Sequence, residues 1–367
     1  MNVEFGIIGL AQSGRTTIFN ALTGGEGTTG YSREGSGPHI GTAKVSDPRL
    51  EGLAGILKPK KVVPVSVAYI DVGASIKGLV KDKGIGGQLL GQLSNVDALI
   101  NVVRVFKDDS IPHSEGSLDI ERDITNMNLE LTFSDLAIIE RRLERIEVSL
   151  KGAKPQERQG LLREQEILVK VRSELEKDIP IREMGPATDE ARVLSNFQFL
   201  TAKPLLIVVN IGEDQLPEAA GMETELNSRY SQLRCRVIAL CGELEMELAQ
   251  LDNDAATELR GEYGLTESGA DRIIRTSYEL LGFVSFFTIA SAEVRAWPVQ
   301  LGTEALKAAG KIHTDMERGF IRAEVISYND LVKCGSVPEA RKKGLLRMEG
   351  KNYVVQDGDV ITFLFNV

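Results

Sequence analysis

Gly9-Leu10-Ala11-Gln12-Ser13-Gly14-Arg15-Thr16 follows the apolar run Val3–Gly9 and leads into helix-like sequence from Thr16. The order strand, tight Gly-rich loop, helix is that of a phosphate-binding loop, G-x-x-x-x-G-K-[ST], and it fits at every fixed position but one. In such a loop the backbone N–H groups, here those of Gln12 to Thr17, converge on phosphate oxygens, and the helix N-terminus adds the positive end of its dipole. Glycine lets the backbone approach closely, and Thr16 would offer a hydroxyl to Mg²⁺. The bland alternative is a Gly-rich strand–helix turn that holds no ligand. Arg15 stands where lysine is expected. It keeps the charge but spreads it over a planar fork, which cannot occupy the point between two phosphates that a lysine ammonium takes. Anion binding can survive that exchange; stabilisation of transferring charge, which depends on position, is weakened.

Further strands are expected at Val65–Asp71, Ala98–Arg104, Pro204–Asn210 and Arg236–Leu240. Several are continuous apolar runs, as strands buried on both faces should be, and their alternation with helical stretches predicts a parallel α/β sheet. Pro204–Asn210 runs into Ile211-Gly212-Glu213, an N-x-x-E where guanine-reading proteins carry N-K-x-D. Glu213 is one methylene longer than aspartate and Ile211 replaces the lysine, so both changes weaken selectivity for guanine. Cys241-Gly242-Glu243, after the next strand, sits where a second base-lining loop would be. Asp71 ends a strand, where a carboxylate would reach Mg²⁺ through water, but the expected D-x-x-G reads Asp71-Val72-Gly73-Ala74. His113, in the polar loop from 108 to 117, is either a solvated side chain or a group that positions water.

From Ser134 the texture changes. Leu136, Ile139, Leu143, Ile146 and Leu150 recur at spacings of three and four, Gly152 to Pro155 interrupts them, and Leu161, Leu168, Val171 and Leu175 follow. This predicts an antiparallel helical hairpin inserted into the α/β domain, serving either as a packed surface element or as a projecting arm for a partner. After Tyr278–Thr288, short strands at Phe320–Ile326, Lys351–Val355 and Val360–Phe365 predict a compact α+β module. The expected division is 1–133 with 196–278 for the nucleotide domain, 134–195 for the hairpin and 279–367 for the last module.

The net charge of −10 argues against a surface that coats nucleic acid. Local basic groups remain at Lys58, Lys60 and Lys61 and at Arg341, Lys342 and Lys343, and ordinary solvated loop charge accounts for each set equally well. No apolar run is long enough to span a membrane. The N-terminal stretch reads as a strand, without the basic start and cleavage site of a signal peptide. Three cysteines without metal spacing suggest a reducing, cytoplasmic setting.

At these residues the chain resembles the YchF/Obg-like ATPase family over essentially its whole length. The resemblance is most specific in GLTESGADRIIRTSYELLGFVSFFT from Gly264, in EVRAWPVQLGTEALKAAGKIHTDMERGFIRAEVISYNDLV, and in LRMEGKNYVVQDGDVITFLFNV at the end. It implies a P-loop GTPase-class domain with a coiled-coil insertion and a C-terminal TGS-like domain linked to RNA and ribosome contact. It also implies ATP accepted as well as or better than GTP, which suits Asn210 and Glu213, with Mg²⁺ as cofactor and His113 at the position proposed for hydrolysis. The chain departs from the family on the phosphate side. Ala11, Gln12 and Ser13 replace P-N-V, Arg15 replaces lysine, the switch threonine falls on Gly35, and the D-x-A-G glycine falls on Ala74. Two readings follow. One is a slow ATPase or GTPase working near the ribosome; the other is a non-hydrolysing relative that presents the arm and the last domain to RNA or protein. A weaker third is a loop that binds a different anion.

Overall fold

The structure, a computed structural model, describes residues 3–24, 39–72, 87–230, 234–290 and 293–366. Among these residues seven strands precede residue 241: β1 Val3–Gly9, β2 His39–Lys44, β3 Lys61–Val63, β4 Ser66–Asp71, β5 Ala98–Arg104, β6 Leu205–Asn210 and β7 Cys235–Leu240. Five follow: β8 Phe283–Ala290, β9 Glu293–Gln300, β10 Phe320–Ser327, β11 Arg347–Glu349 and β12 Asp359–Phe365. They form two six-stranded sheets in two compact units, Met1–Ala43 with Ala68–Thr276 and Lys44–Val67 with Ser277–Val367.

The sheet of the first unit has the order β2-β4-β1-β5-β6-β7. β1, β5, β6 and β7 are mutually parallel, with Ile7 opposite Ile100, Val102 opposite Val208 and Val209 opposite Ala239. Every residue of β5 and β6 is buried, which is why these stretches carry no polar alternation. The order turns outward on either side of β1, and a ligand crevice is expected at such a switch point, beyond the C-terminal ends of the strands. Gly9, Asp71, Arg104 and Asn210 all stand at those ends.

The hairpin forms as expected but begins earlier. Its first helix is Ile120–Leu150, capped by Asp119, whose carboxylate accepts from the Arg122 N–H. The first turns are anchored in the sheet's own core by Ile124, Met127 and Leu131, so the boundary expected at 133/134 falls inside a continuous helix. The later turns pack Ile139, Leu143 and Ile146 against Ile167, Leu168 and Val171 of the returning helix Pro155–Leu175. Arg142 holds Glu164 across the pair through bonds of 2.7 and 2.8 Å. At its root Asp135 is fully buried and accepts from the Leu200 N–H, the Thr201 N–H and the Thr201 hydroxyl.

The second unit is mostly antiparallel: β8 with β9, β10 with both β11 and β12, and parallel contacts of β12 with β8 and of β3 with β9. Residues 44–67 were expected in the nucleotide domain; they belong here instead. β3 pairs with β9, and Arg49, at the start of the helix Pro48–Leu57, binds Asp357 at 2.6 Å. The strand expected at Lys351–Val355 is not formed beyond a single bridge of Val354 to Glu304. The Lys351 and Tyr353 carbonyls turn instead to the N–H groups of Leu306 and Ala305, in the first turn of the helix Ala305–Ile312, where donors have no partner within the helix.

Candidate functional site

The loop between β1 and the helix Arg15–Thr23 is shaped by its glycines. A Cβ on Gly9 would lie 2.6 Å from both Ser13 Oγ and the Val102 carbonyl and 3.2 Å from Arg15 Cγ. Gly14 caps the helix in the left-handed region at φ +88°, and a Cβ there would collide with the Asn210 amide. No side chain caps the helix, so its first N–H groups are directed at the loop. Gln12 is also left-handed, at φ +62°, a cost a non-glycine residue bears when its surroundings impose it. Ser13 is 2 % exposed, and its hydroxyl has no hydrogen-bond partner among the described residues.

Asn210, at the end of β6, ties two loops together. Its amide donates to the Ser13 carbonyl at 3.1 Å, and its carbonyl oxygen accepts from the Gly242 N–H at 3.0 Å. Gly242 must lack a side chain, since a Cβ would lie 2.9 Å from that oxygen and 2.8 Å from Ile18. Next to Asn210 opens a cavity of about 730 Å³, lined among others by Thr17, Phe106, Ile211, Glu213, Cys241 and Met246. Its size suits a purine nucleoside. The Cys241 thiol is buried and held above its ordinary pKa by that burial. Glu213 accepts from the Tyr263 hydroxyl at 2.8 Å. The residue alphabet gave no sign of that contact, because Tyr263 is fifty positions away.

On the phosphate side Asp71, 1 % exposed, accepts from the Thr16 hydroxyl at 2.9 Å and has His39 Nδ1 at 3.8 Å. Burial lowers the Arg15 pKa, and the Asp71 carboxylate partly offsets this. The expected metal residues Thr16 and Asp71 are thus brought together, and the expected phosphate residue Arg15 shares their carboxylate. Gly35 and Ala74 lie outside the described residues.

His113 is not a solvated loop side chain. Its side chain is only 7 % exposed, its Nδ1 accepts from the Glu115 N–H at 3.1 Å, and its Nε2 lies 3.0 Å from the buried Asp123 carboxylate. An Nδ1 that accepts requires the proton on Nε2, which then donates to Asp123. Both nitrogens are committed in this arrangement, and neither is left to orient water. Arg104 holds this loop: it donates to the carbonyls of Phe106, Asp108 and Ile111 and lies 4.5 Å over the Phe106 ring.

With this geometry in hand, similarity decides the family. The chain is 38% identical to the ribosome-binding ATPase YchF of Bacillus subtilis (strain 168) over 370 aligned residues, covering 100% of both. The chain belongs to the YchF family. It is also 35% identical to the ribosome-binding ATPase YchF of Escherichia coli O157:H7, again over 100% of both. The YchF GTPase structure from Schizosaccharomyces pombe superposes with a TM-score of 0.83 at 30% identity, covering 99% of this chain and 98% of that one. Residues 283–366 match the family profile YchF-GTPase_C, described as a protein of unknown function. The mixed α/β fold with its parallel P-loop sheet is therefore that of YchF. No helix among the described residues is long and apolar enough to cross a membrane.

Proposed function

We propose that this YchF-family chain binds a purine nucleoside triphosphate, ATP at least as well as GTP, hydrolyses it slowly, and works at the ribosome in the cytoplasm. The observation that carries this reading is Asn210, whose two bonds join the phosphate loop to the base-side cavity in a chain similar end to end to ribosome-binding ATPases. Gln12 to Thr17 would cradle the phosphates, with the loop and helix N–H groups as donors. Asn210, Ile211, Glu213, Cys241 and Gly242 would line the base. Glu213 offers an acceptor where guanine readers place a shorter one, which suits the exocyclic amine of adenine. The oxygens of Thr16 and Asp71 suit Mg²⁺, which keeps several waters and takes its remaining ligands from substrate phosphates; bound there, it would neutralise phosphate charge. The hairpin and the last domain would carry the ribosome or RNA contacts.

Slow turnover follows from charge and geometry. Burial disfavours the Arg15 charge, which Asp71 offsets only in part, and both nitrogens of His113 are engaged. The same two observations favour the second reading, a nucleotide-binding module without hydrolysis. Phosphate release measured on the full chain with ATP and Mg²⁺ separates them. Slow release that rises at least about tenfold in Arg15→Lys combined with Ala74→Gly supports the first reading. No release above background in either protein sinks it in favour of the module. Full recovery by Arg15→Lys alone would show the other phosphate-side departures to be irrelevant.

A further inference from the structure

At the root of the helical hairpin, at the opposite strand ends from the nucleotide loop, lies a second cavity of about 620 Å³. Three cationic side chains line it, Arg182, Lys203 and Arg234, against one carboxylate, Asp97. In a chain with a net charge of −10 this is a local reversal of sign. The cations also have unused donors. Arg182 is 7 % exposed; its terminal nitrogens donate to the Thr201 carbonyl and to Asn128, but its buried Nε has no hydrogen-bond partner among the described residues. A buried guanidinium nitrogen left unsatisfied costs the desolvation of a charged donor. Lys203 spends two of its three protons on the carbonyls of Ser94 and Val96, at 2.9 and 2.6 Å. Asp97 is partly spent as well, accepting from the Glu4 N–H at 2.9 Å.

Arg234 stands at the exposed rim, left-handed at φ +67°. A residue held in that sparsely populated region implies a local role that offsets its cost. Its side chain faces no carboxylate among the described residues, and burial alone lowers its pKa. Burial also lowers Lys203 and Arg182, and nearby carboxylates partly offset it, Asp97 and Asp135 for Lys203 and Glu183 and Asp135 for Arg182. Across from the cations, Leu194 and Phe199 supply an apolar wall.

We infer that this cavity is a second binding site, for a small organic anion whose phosphate or carboxylate head meets Lys203 and Arg234 in the field of the buried Arg182, while its apolar body lies against Leu194 and Phe199. An anionic head would take the third Lys203 proton, the Arg234 fork suits either oxyanion, and the buried Arg182 guanidinium behind them adds its charge. The volume admits a molecule of drug or mononucleotide size. The site shares no lining residue with the nucleotide cavity, and the inference does not rest on the nucleotide reading.

Phenyl phosphate and benzoate are suitable probes, titrated calorimetrically into the full chain; the tighter of the two identifies the head group. Saturable binding is expected, weakened about tenfold or more by Arg234→Gln through loss of charged hydrogen bonds. It should be abolished by Ala191→Trp, which puts an indole into the cavity mouth from an exposed helix position, and unchanged by Arg15→Gln. No saturable binding of either probe overturns the inference. So does loss on Arg15→Gln alone, which would place the probe in the phosphate loop. Weakening by Arg234→Gln with full binding in Ala191→Trp would mean diffuse surface attraction, and likewise overturns it.

Discussion

Asn210 and Asp71 end two strands of one sheet and serve the same loop, yet they are held in different ways. Asn210 is neutral, buried, and bonded at both ends to backbone, Ser13 on one loop and Gly242 on the other. Asp71 is a buried charge with the Thr16 hydroxyl, His39 and Arg15 around it. The first arrangement fixes backbone and should be costly to disturb even without ligand. The second arranges side chains around a charge, and its rearrangement should alter chemistry more than folding. The proposed base side is thus built into this chain's stability, while the proposed phosphate side, where Arg15 stands, rests on side-chain electrostatics.

The largest effect should come from Gly14→Ala. It combines a left-handed non-glycine residue, about 1–2 kcal/mol, with displacement of the Asn210 amide and unpaired buried groups, about 1–3 kcal/mol. Urea unfolding should therefore show a loss of about 3–4 kcal/mol; a loss below about 1 would mean that the loop is not locked to β6. Asn210→Ala comes next, at about 2–3 kcal/mol, because it strands the Ser13 carbonyl and the Gly242 N–H together. Were it neutral, the strut would be a bystander. His113→Ala should cost about 1–2 kcal/mol by removing one donor from the buried Asp123 carboxylate, which keeps its bond from Arg122 at 2.9 Å. If stability is untouched while phosphate release disappears, His113 is catalytic and its observed bonding is not that of the working state.

On the other side of the comparison, Thr16→Val removes one partly buried bond to Asp71 and should cost about 1 kcal/mol or less. A loss as large as that of Asn210→Ala would erase the contrast. A separate effect is a pH slope away from both strand ends. Burial raises Asp135 from 3.8 to about 6, although its three donors favour the ionised form. Between those values the folded chain keeps a proton that the unfolded chain has lost, so this group's contribution to stability declines as pH rises through that window. Thermal midpoints of Asp135→Asn, compared with the parent across the same window, should lack that component. A slope of opposite sign would mean that the carboxylate is ionised in the fold.

The strands were legible where burial on both faces wrote continuous apolar sequence, as in β1, β5 and β6, and the loop was legible because Gly14 alone can turn where Asn210 presses. The three-residue strand β3 was not, since most of it is exposed and carries no apolar pattern. Its segment therefore read as part of the nucleotide domain when its pairing puts it in the other unit. Lys351–Val355 looked like a strand because aromatic and branched residues suit strands, but its carbonyls accept from the first turn of a helix. For His113 the missing partner was Asp123, ten residues on, a carboxylate that reads in sequence as an ordinary charge in the first turn of a helix. Arg104 was passed over as the last residue of a strand, yet its bonds to three carbonyls shape the loop that carries both Phe106 and His113.

The most direct test of the contrast is calorimetric titration of the full chain with ATP and with ADP in the presence of Mg²⁺. If the base side carries recognition and Arg15 has weakened the grip on the γ-phosphate, both nucleotides bind with affinities within about tenfold of each other, a difference under about 1.4 kcal/mol. No binding of either at millimolar concentration, or ATP held about a thousandfold more tightly than ADP, would contradict the account.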